Sequence, residues 1–177
     1  MKSRSHEMNN LSLDTEDSLA SLLELAANND VSGFKSLIEC EPSSIDEVGL
    51  WYGRHKESKK MVNEQRTPLM VAATYGSIDV MTLILYLSEA DVNRSCGLDK
   101  STALHCAASG GSENAVDAVK LLLEAGADRN SVDANGHRPG DVTVSPPKLD
   151  YVKNSLEELL GSDDWSGLRV MRSSCNA

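Results

Sequence analysis

A histidine and two cysteines near the middle of the chain are the residues best suited to chemistry. His105 and Cys106 are adjacent, and Cys96 precedes them. Imidazole and thiolate are good zinc ligands, but a structural site needs four ligands at workable spacing, and the other two cysteines are far away. The sequence therefore predicts no metal site. It predicts that Cys106 is a buried free thiol and that His105 bonds the Thr102 hydroxyl and neighbouring loop backbone.

Motifs for catalysis are absent from the sequence. It has no G-x-S-x-G, no glycine-rich phosphate loop ending in Lys-Ser/Thr and no H-E-x-x-H. We interpret Glu157-Glu158 and Asp163-Asp164 as solvated charge, and Ser145-Pro146 is too common a pattern to assign to a kinase. We therefore expect no enzymatic activity and no cofactor.

The composition narrows the possible partners. The chain has 177 residues, a net charge of −10 and a pI of about 4.8, which disfavours binding to a phosphate backbone. It contains no apolar run long enough for a membrane span and no signal-peptide pattern. We expect a soluble nuclear or cytosolic protein that binds neither nucleic acid nor membrane through this chain.

Two segments of the chain repeat each other 35 residues apart. Thr67 to Ala73 returns as Thr102 to Ala108, and each copy is followed by a glycine turn, a second apolar run and an Ala-Asp-x-Asn tetrad. A cycle of about 33 residues with this order is the signature of the ankyrin repeat. The sequence thus predicts an all-α ankyrin-repeat solenoid of helix-turn-helix repeats with short hairpin-like loops.

The same pattern predicts the elements and the domain boundaries. We expect a disordered N-terminus over 1–16, a domain of three to four repeats over 17–161 and a polar linker over 162–177. The expected helices are Leu19–Asn28, Val31–Ile38, Pro68–Tyr75, Ile78–Leu87, Ala103–Ser109, Glu113–Glu124 and a capping helix over 149–160.

An insertion near 46–62 separates the first repeat from the second. The step between equivalent leucines is 46 residues here, from Leu23 to Leu69, against 35 for the next repeat. Residues 51–66 carry five Lys/Arg and two Glu within an acidic chain that is only 4 % aromatic. One interpretation is a partner site with aromatic anchors and a cationic rim. The other is that Trp51 and Tyr52 fold the loop back onto the repeats while the lysines stay solvated.

Alignment of the repeats places a candidate protein-contact strip on the concave side, and we expect an acidic partner segment to meet Arg54, Lys56 and Arg66 there. The candidate partner-binding residues are Trp51, Tyr52, Arg54, His55, Lys56, Arg66, Thr74, Tyr75, Asp99, Ser101, Ser109, Asn135 and His137.

Three segments carry a more specific resemblance. They are Asp46 to Arg54, Arg66 to Ser77, and Asn135 to Val142 leading to Ser145-Pro146-Pro147-Lys148-Leu149. With them, residues 17 to about 161 resemble the N-terminal ankyrin region of the plant tandem CCCH zinc-finger proteins of the arginine-rich subgroup.

The resemblance implies an interaction module upstream of two RNA-binding CCCH fingers. Such proteins regulate RNA and gene expression in plant stress, hormone and developmental responses, in the nucleus, the cytoplasm and cytoplasmic RNA granules. Because the four cysteines are too scattered for such fingers, RNA and zinc binding are expected only outside this chain. The alternative is a stand-alone ankyrin adaptor or inhibitor of a kinase or transcription factor.

Overall fold

A computed structural model describes residues 8–54, 61–87, 90–144 and 149–161, and its helices pair into a stack. Within these ranges no helix is long and apolar enough to cross a membrane. The helices are α1 (Met8–Ala27), α2 (Val31–Cys40), α3 (Pro68–Tyr75), α4 (Ile78–Tyr86), α5 (Ala103–Ser109), α6 (Ala115–Glu124) and α7 (Asp150–Gly161), with short 3-10 turns over Pro42–Asp46 and Pro139–Val142.

The second repeat shows how local sequence sets the helix ends. The Thr67 hydroxyl accepts a hydrogen bond from the Met70 backbone N–H at 3.3 Å, and Pro68 occupies the first helical turn. Gly76 ends α3 in the left-handed region, at φ 69°, which glycine adopts without steric cost. The chain can therefore reverse directly into α4.

The first helix is longer than the sequence predicted. It begins at Met8 instead of Leu19, so residues 8–16 are helical where we expected disorder. This stretch contains neither proline nor glycine, and extending a helix that already exists costs far less than nucleating one. The predicted linker over 162–177 lies outside the described residues.

The insertion forms a β-hairpin, where the sequence suggested a loop. Strands β1 (Gly49–Arg54) and β2 (Met61–Arg66) pair antiparallel, from Gly49 opposite Arg66 to Arg54 opposite Met61. This sheet has two strands, so helix still dominates the described part of the chain. The backbone pairing gives the insertion a fixed direction relative to the repeats.

The fourth repeat is reduced, as expected for a terminal unit. Its first helix is only the 3-10 turn Pro139–Val142, which packs on α5, and α7 then covers α6. Buried Val152, Leu156 and Leu160 form the inner face of α7. This helix covers the end of the apolar stack, and its bounds differ by one residue from those expected for the capping helix.

One apolar core runs through all repeats. Leucines and alanines of successive repeats are buried in a single cluster: Leu23, Leu69, Ala72, Leu104, Ala107 and Leu122. Small alanines allow the first helices to approach closely, and the longer aliphatic side chains of the second helices fill the outer layer. The repeat assignment is thereby confirmed.

Polar side chains link the loops of successive repeats. The Asp91 and Asp128 carboxylates of the two Ala-Asp-x-Asn tetrads each accept the backbone N–H two residues ahead, at 2.9 Å. The Asn93 side chain then accepts from the Asp128 N–H at 2.8 Å and donates to the Gly126 carbonyl at 3.2 Å. Each tetrad forms its own turn, and the first also holds the following repeat in register.

Gly110 offers a test of the close approach of α5 to α3. A Cβ added there would lie 2.2 Å from the Thr74 carbonyl oxygen and 2.9 Å from that of Cys106. Its φ of −63° suits alanine, so helix propensity alone would predict a gain of about 1 kcal/mol. We expect Gly110→Ala instead to lower the free energy of unfolding by about 1–3 kcal/mol, measured by urea denaturation, because backbone atoms must move. An increase in stability would show that α3 and α5 are less closely packed.

Candidate functional site

His105 has the structural role that the sequence suggested. Its Nδ1 lies 2.9 Å from the Thr102 hydroxyl and 3.3 Å from the Thr102 backbone nitrogen, which donates to it. Its Nε2 lies 3.0 Å from the His137 carbonyl oxygen. Because Nδ1 accepts from the Thr102 N–H, the hydrogen bonds assign a proton to Nε2, which donates to this carbonyl. His105 thus ties α5 to the loop before the terminal repeat.

The cysteines in the described part of the chain, Cys40, Cys96 and Cys106, are free thiols and do not form a metal site. Cys106 is buried, and desolvation raises its pKa to about 11, so the thiolate is disfavoured. Cys96 donates a 3.1 Å hydrogen bond to the Gln65 carbonyl oxygen, and its sulfur lies 3.2 Å from that of Met70. Across the described ranges, no three His, Cys, Asp or Glu residues gather as ligands. The prediction of a buried free thiol is confirmed for Cys106.

Arg66 is the main correction to the predicted contact strip. Its side chain is only 8 % exposed, and its guanidinium pairs bidentately with Asp99, at 3.0 Å and 2.8 Å. It also contacts the Glu64 carboxylate at 3.0 Å and donates to the Gln65 carbonyl. The hypothesis that Arg66 is a solvent-facing cation for an acidic partner is therefore wrong. The residue fastens the hairpin to the loop of the next repeat.

The pKa shifts of Arg66 and Asp99 agree with an ion pair between the two residues. Burial lowers the pKa of Arg66, but its hydrogen bond to Asp99 and the nearby carboxylates outweigh burial and raise the pKa above its ordinary value. Burial raises the pKa of Asp99, but hydrogen bonds from Arg66 and Ser101 outweigh it and leave that pKa below its usual value. Both groups are charged at neutral pH.

The aromatic residues of the insertion lie on opposite faces of the hairpin. Trp51 is half-buried against the core and meets Tyr75 edge-on, with ring centroids 6.0 Å apart and an interplanar angle of 83°. Tyr52, the next residue along β1, is 59 % exposed, and Leu50 on the same face is also exposed. The packing interpretation thus holds for Trp51, which folds the hairpin onto the second repeat, and not for Tyr52, which faces solvent. Partner binding by the insertion stays a prediction.

The remaining candidates divide into three groups. The Thr74 and Ser109 hydroxyls donate to backbone carbonyls of their own helices, and Ser101 donates to Asp99. Asn135 and His137 are exposed, with backbone N–H groups bonded to Asp133. Arg54 is placed only by its backbone in β1, and His55 and Lys56 lie outside the described residues. The partner-binding role of these residues stays a prediction.

Three further residues were missed by sequence reasoning. Asn29 replaces glycine in the first inter-helix turn at φ 57°, and its side chain accepts from the Val80 N–H and donates to Asp79. Lys100, at φ 51°, occupies the position that Gly136 holds in the corresponding loop of the next repeat. It lies two residues after fully exposed Leu98. Alignment of Lys100 with Gly136 could have revealed the second turn, whereas the 46-residue step from Leu23 to Leu69 aligns Asn29 with Tyr75 and so hides the first. No sequence signal identified Leu98.

Stacked helix pairs with linked loops define a repeat protein whose surface is built for contact with other macromolecules. The family model of ankyrin repeats, in three copies, matches residues 22–133, and the chain belongs to that family.

The chain is similar to curated zinc-finger proteins from plants, as the resemblance suggested. The chain is 66 % identical over 160 residues to zinc finger CCCH domain-containing protein 30 of Arabidopsis thaliana, covering 90 % of this chain and 22 % of that protein. It is 57 % identical to zinc finger CCCH domain-containing protein 24 of Oryza sativa subsp. japonica, over 85 % of this chain and 19 % of that protein. Protein 56 of Arabidopsis thaliana is 54 % identical over 84 % of this chain and 21 % of its own length. The chain thus spans about a fifth of these relatives, and neither its family nor their names denote an enzyme.

Proposed function

We propose that this chain is the protein-interaction module of a plant CCCH zinc-finger regulator of RNA or gene expression. Similarity to CCCH proteins over most of the chain supports the assignment. Stress, hormone or developmental responses are the proposed settings, and the nucleus, cytoplasm and cytoplasmic RNA granules the proposed locations. RNA and zinc binding are assigned to CCCH fingers and to no residue of this chain.

The observation that carries the proposal is the anchored hairpin with its outward aromatic face. Trp51 and Arg66 hold the hairpin against the second repeat and the next loop, so Tyr52 and Leu50 face solvent on a positioned strand. A large aromatic side chain on a rigid element loses little entropy on binding, and such residues supply much of the energy of protein interfaces. The hairpin is therefore proposed as the principal contact element.

Affinity capture from plant extract tests this proposal with a matched pair of tyrosines. Tyr52 and Tyr151 are 59 % and 62 % exposed, but Tyr151 lies on α7 at the other end of the stack. We expect Tyr52→Ala to reduce the amount of captured partner about tenfold or more, and Tyr151→Ala to leave it unchanged. Partners would be quantified by mass spectrometry at equal bait loading. Equal capture by both variants would mean that the contact site lies elsewhere, for example on the outer helices.

A further inference from the structure

Each strand of the hairpin has an outer edge that no third strand covers among the described residues. In an antiparallel pair, the backbone N–H and C=O groups of successive residues point alternately toward the partner strand and away from it. The Gln65 carbonyl oxygen accepts from the Cys96 thiol of the next loop and from the Arg66 side chain. Gln65 therefore directs its backbone groups away from β1, and Leu50, which is opposite it, directs its own away from β2.

The same alternation continues along β1. Tyr52 and Arg54 are two and four residues beyond Leu50, so their backbone N–H and C=O groups also point to the outer edge. Within the described residues, no backbone hydrogen bond joins Leu50 or Tyr52 to an element outside the hairpin. The outer edge of β1 thus presents three residues, each with one donor and one acceptor, over about 13 Å.

The surroundings of the two edges differ. On β2, the next loop already reaches the outer edge at Gln65. On β1, a Cβ added at Gly49 would lie 3.0 Å from the Leu19 side chain of α1. Because Gly49 directs its backbone groups toward β2, this contact lies on the face of the sheet and not at its edge. The edge of β1 from Leu50 onward is therefore the one that remains for pairing.

The side chains beside this edge favour an apolar strand with an acidic end. Leu50 and Tyr52 are 55 % and 59 % exposed on the same face, and side chains of neighbouring strands pair across such a face. Apolar or aromatic residues of an added strand would cover both. Beyond Arg54, the sequence up to Lys60 carries three lysines and one glutamate, so the connection between the two strands is basic.

We propose that the outer edge of β1 binds an extended segment of the partner protein, which adds a third strand to the hairpin. This inference rests on the proposed function and specifies how the partner is held. The main chain of the segment bonds to Leu50 and Tyr52, its alternate apolar residues cover their side chains, and an acidic residue at one end faces the basic connection. A second copy of this chain is a poorer occupant because each copy carries a net charge of −10.

A random-peptide display selection on the full chain, followed by anisotropy titrations of the recovered peptides, tests the inference with two variants of one residue. Leu50→Pro removes the outward N–H and places the proline ring at the edge, whereas Leu50→Ala keeps the N–H. Neither change removes a hydrogen bond between β1 and β2, and thermal unfolding would verify the fold. We expect Leu50→Pro to bind the peptides about tenfold or more weakly than Leu50→Ala does.

The recovered peptides provide a second measurement that needs no variant of the chain. Methylation of one backbone nitrogen of the peptide at a time should weaken binding at every second residue, because only alternate N–H groups face β1. This result stays decisive even if Leu50→Pro lowers the stability of the fold. Losses spaced three or four residues apart would indicate a helical ligand and would overturn strand addition.

The other outcomes also count against the proposal. Equal binding by Leu50→Pro and Leu50→Ala, or the absence of any enriched peptide, would overturn strand addition. The proposed interaction module would still stand if capture from plant extract depended on Tyr52. Concentration-dependent dimerisation of the wild type that is lost in Leu50→Pro would show that a second copy occupies the edge, and would overturn the assignment to a partner protein.

Discussion

Replacement of Leu104 by alanine is expected to lower the free energy of unfolding by about 2–5 kcal/mol. Leu104 is buried in α5, whose first-helix neighbour α3 lies on one side and the terminal 3-10 turn on the other. Removal of its side chain opens a cavity in the middle of the stack. The cavity weakens the packing of α5 against α3 and against the terminal 3-10 turn. Urea denaturation followed by circular dichroism would measure the loss.

The chain provides a matched control for this substitution. Leu98 is fully exposed at the tip of the preceding loop, so Leu98→Ala removes the same atoms without a cavity. We expect its effect to stay within about 0.5 kcal/mol. Similar losses for the two variants would contradict the placement of α5 in a shared core.

The second large effect is expected at Arg66. Arg66→Ala should lower the free energy of unfolding by about 2–4 kcal/mol, because it removes the bidentate bond to Asp99 and leaves two carboxylates facing each other. Arg66→Lys keeps the charge but cannot form the bidentate hydrogen bonds to Asp99, so about half of the loss in unfolding free energy should persist. A loss below 0.5 kcal/mol for Arg66→Ala would mean that the pair is only a surface contact.

The stability contributed by Asp99 should depend on pH. Its folded-state pKa is lowered, so the contribution is complete above the unfolded value of about 4 and is lost as pH falls through the folded value. Asp99→Asn should therefore be less stable than the wild type at pH 7, and the difference should shrink steadily below about pH 4. Denaturation curves at a series of pH values would detect this. A difference that stays constant down to pH 2 would exclude the carboxylate charge as its cause.

Sequence alone predicted the repeats well because each repeat is specified locally. Pro68–Tyr75 and Ala103–Ser109 have the predicted bounds. A threonine occupies the N-cap of each helix, and a glycine follows its last residue. The bonds of His105 followed from the same periodicity. Boundaries were missed where no such signal exists, as at the start of α1.

The environment of Arg66 could not be predicted, because it depends on contacts between distant parts of the chain. A cation in a basic insertion was expected to face solvent, but its partner Asp99 lies 33 residues ahead in another loop. Only the β1–β2 register and the stacking of the loops bring the two together. The sign of a charge can be read from a sequence, whereas its exposure depends on the fold.

Pairing of Arg54 with Met61 has a consequence for how this chain can vary. Because these residues are opposite each other, the segment between them leaves and rejoins the hairpin at adjacent points. Additions or deletions there do not require the repeats to move apart, and the entropic cost of a longer loop grows only slowly. Natural sequences can therefore vary in length at this position without a change in the spacing of the repeats. For the same reason, we expect that a foreign epitope or reporter can be inserted there.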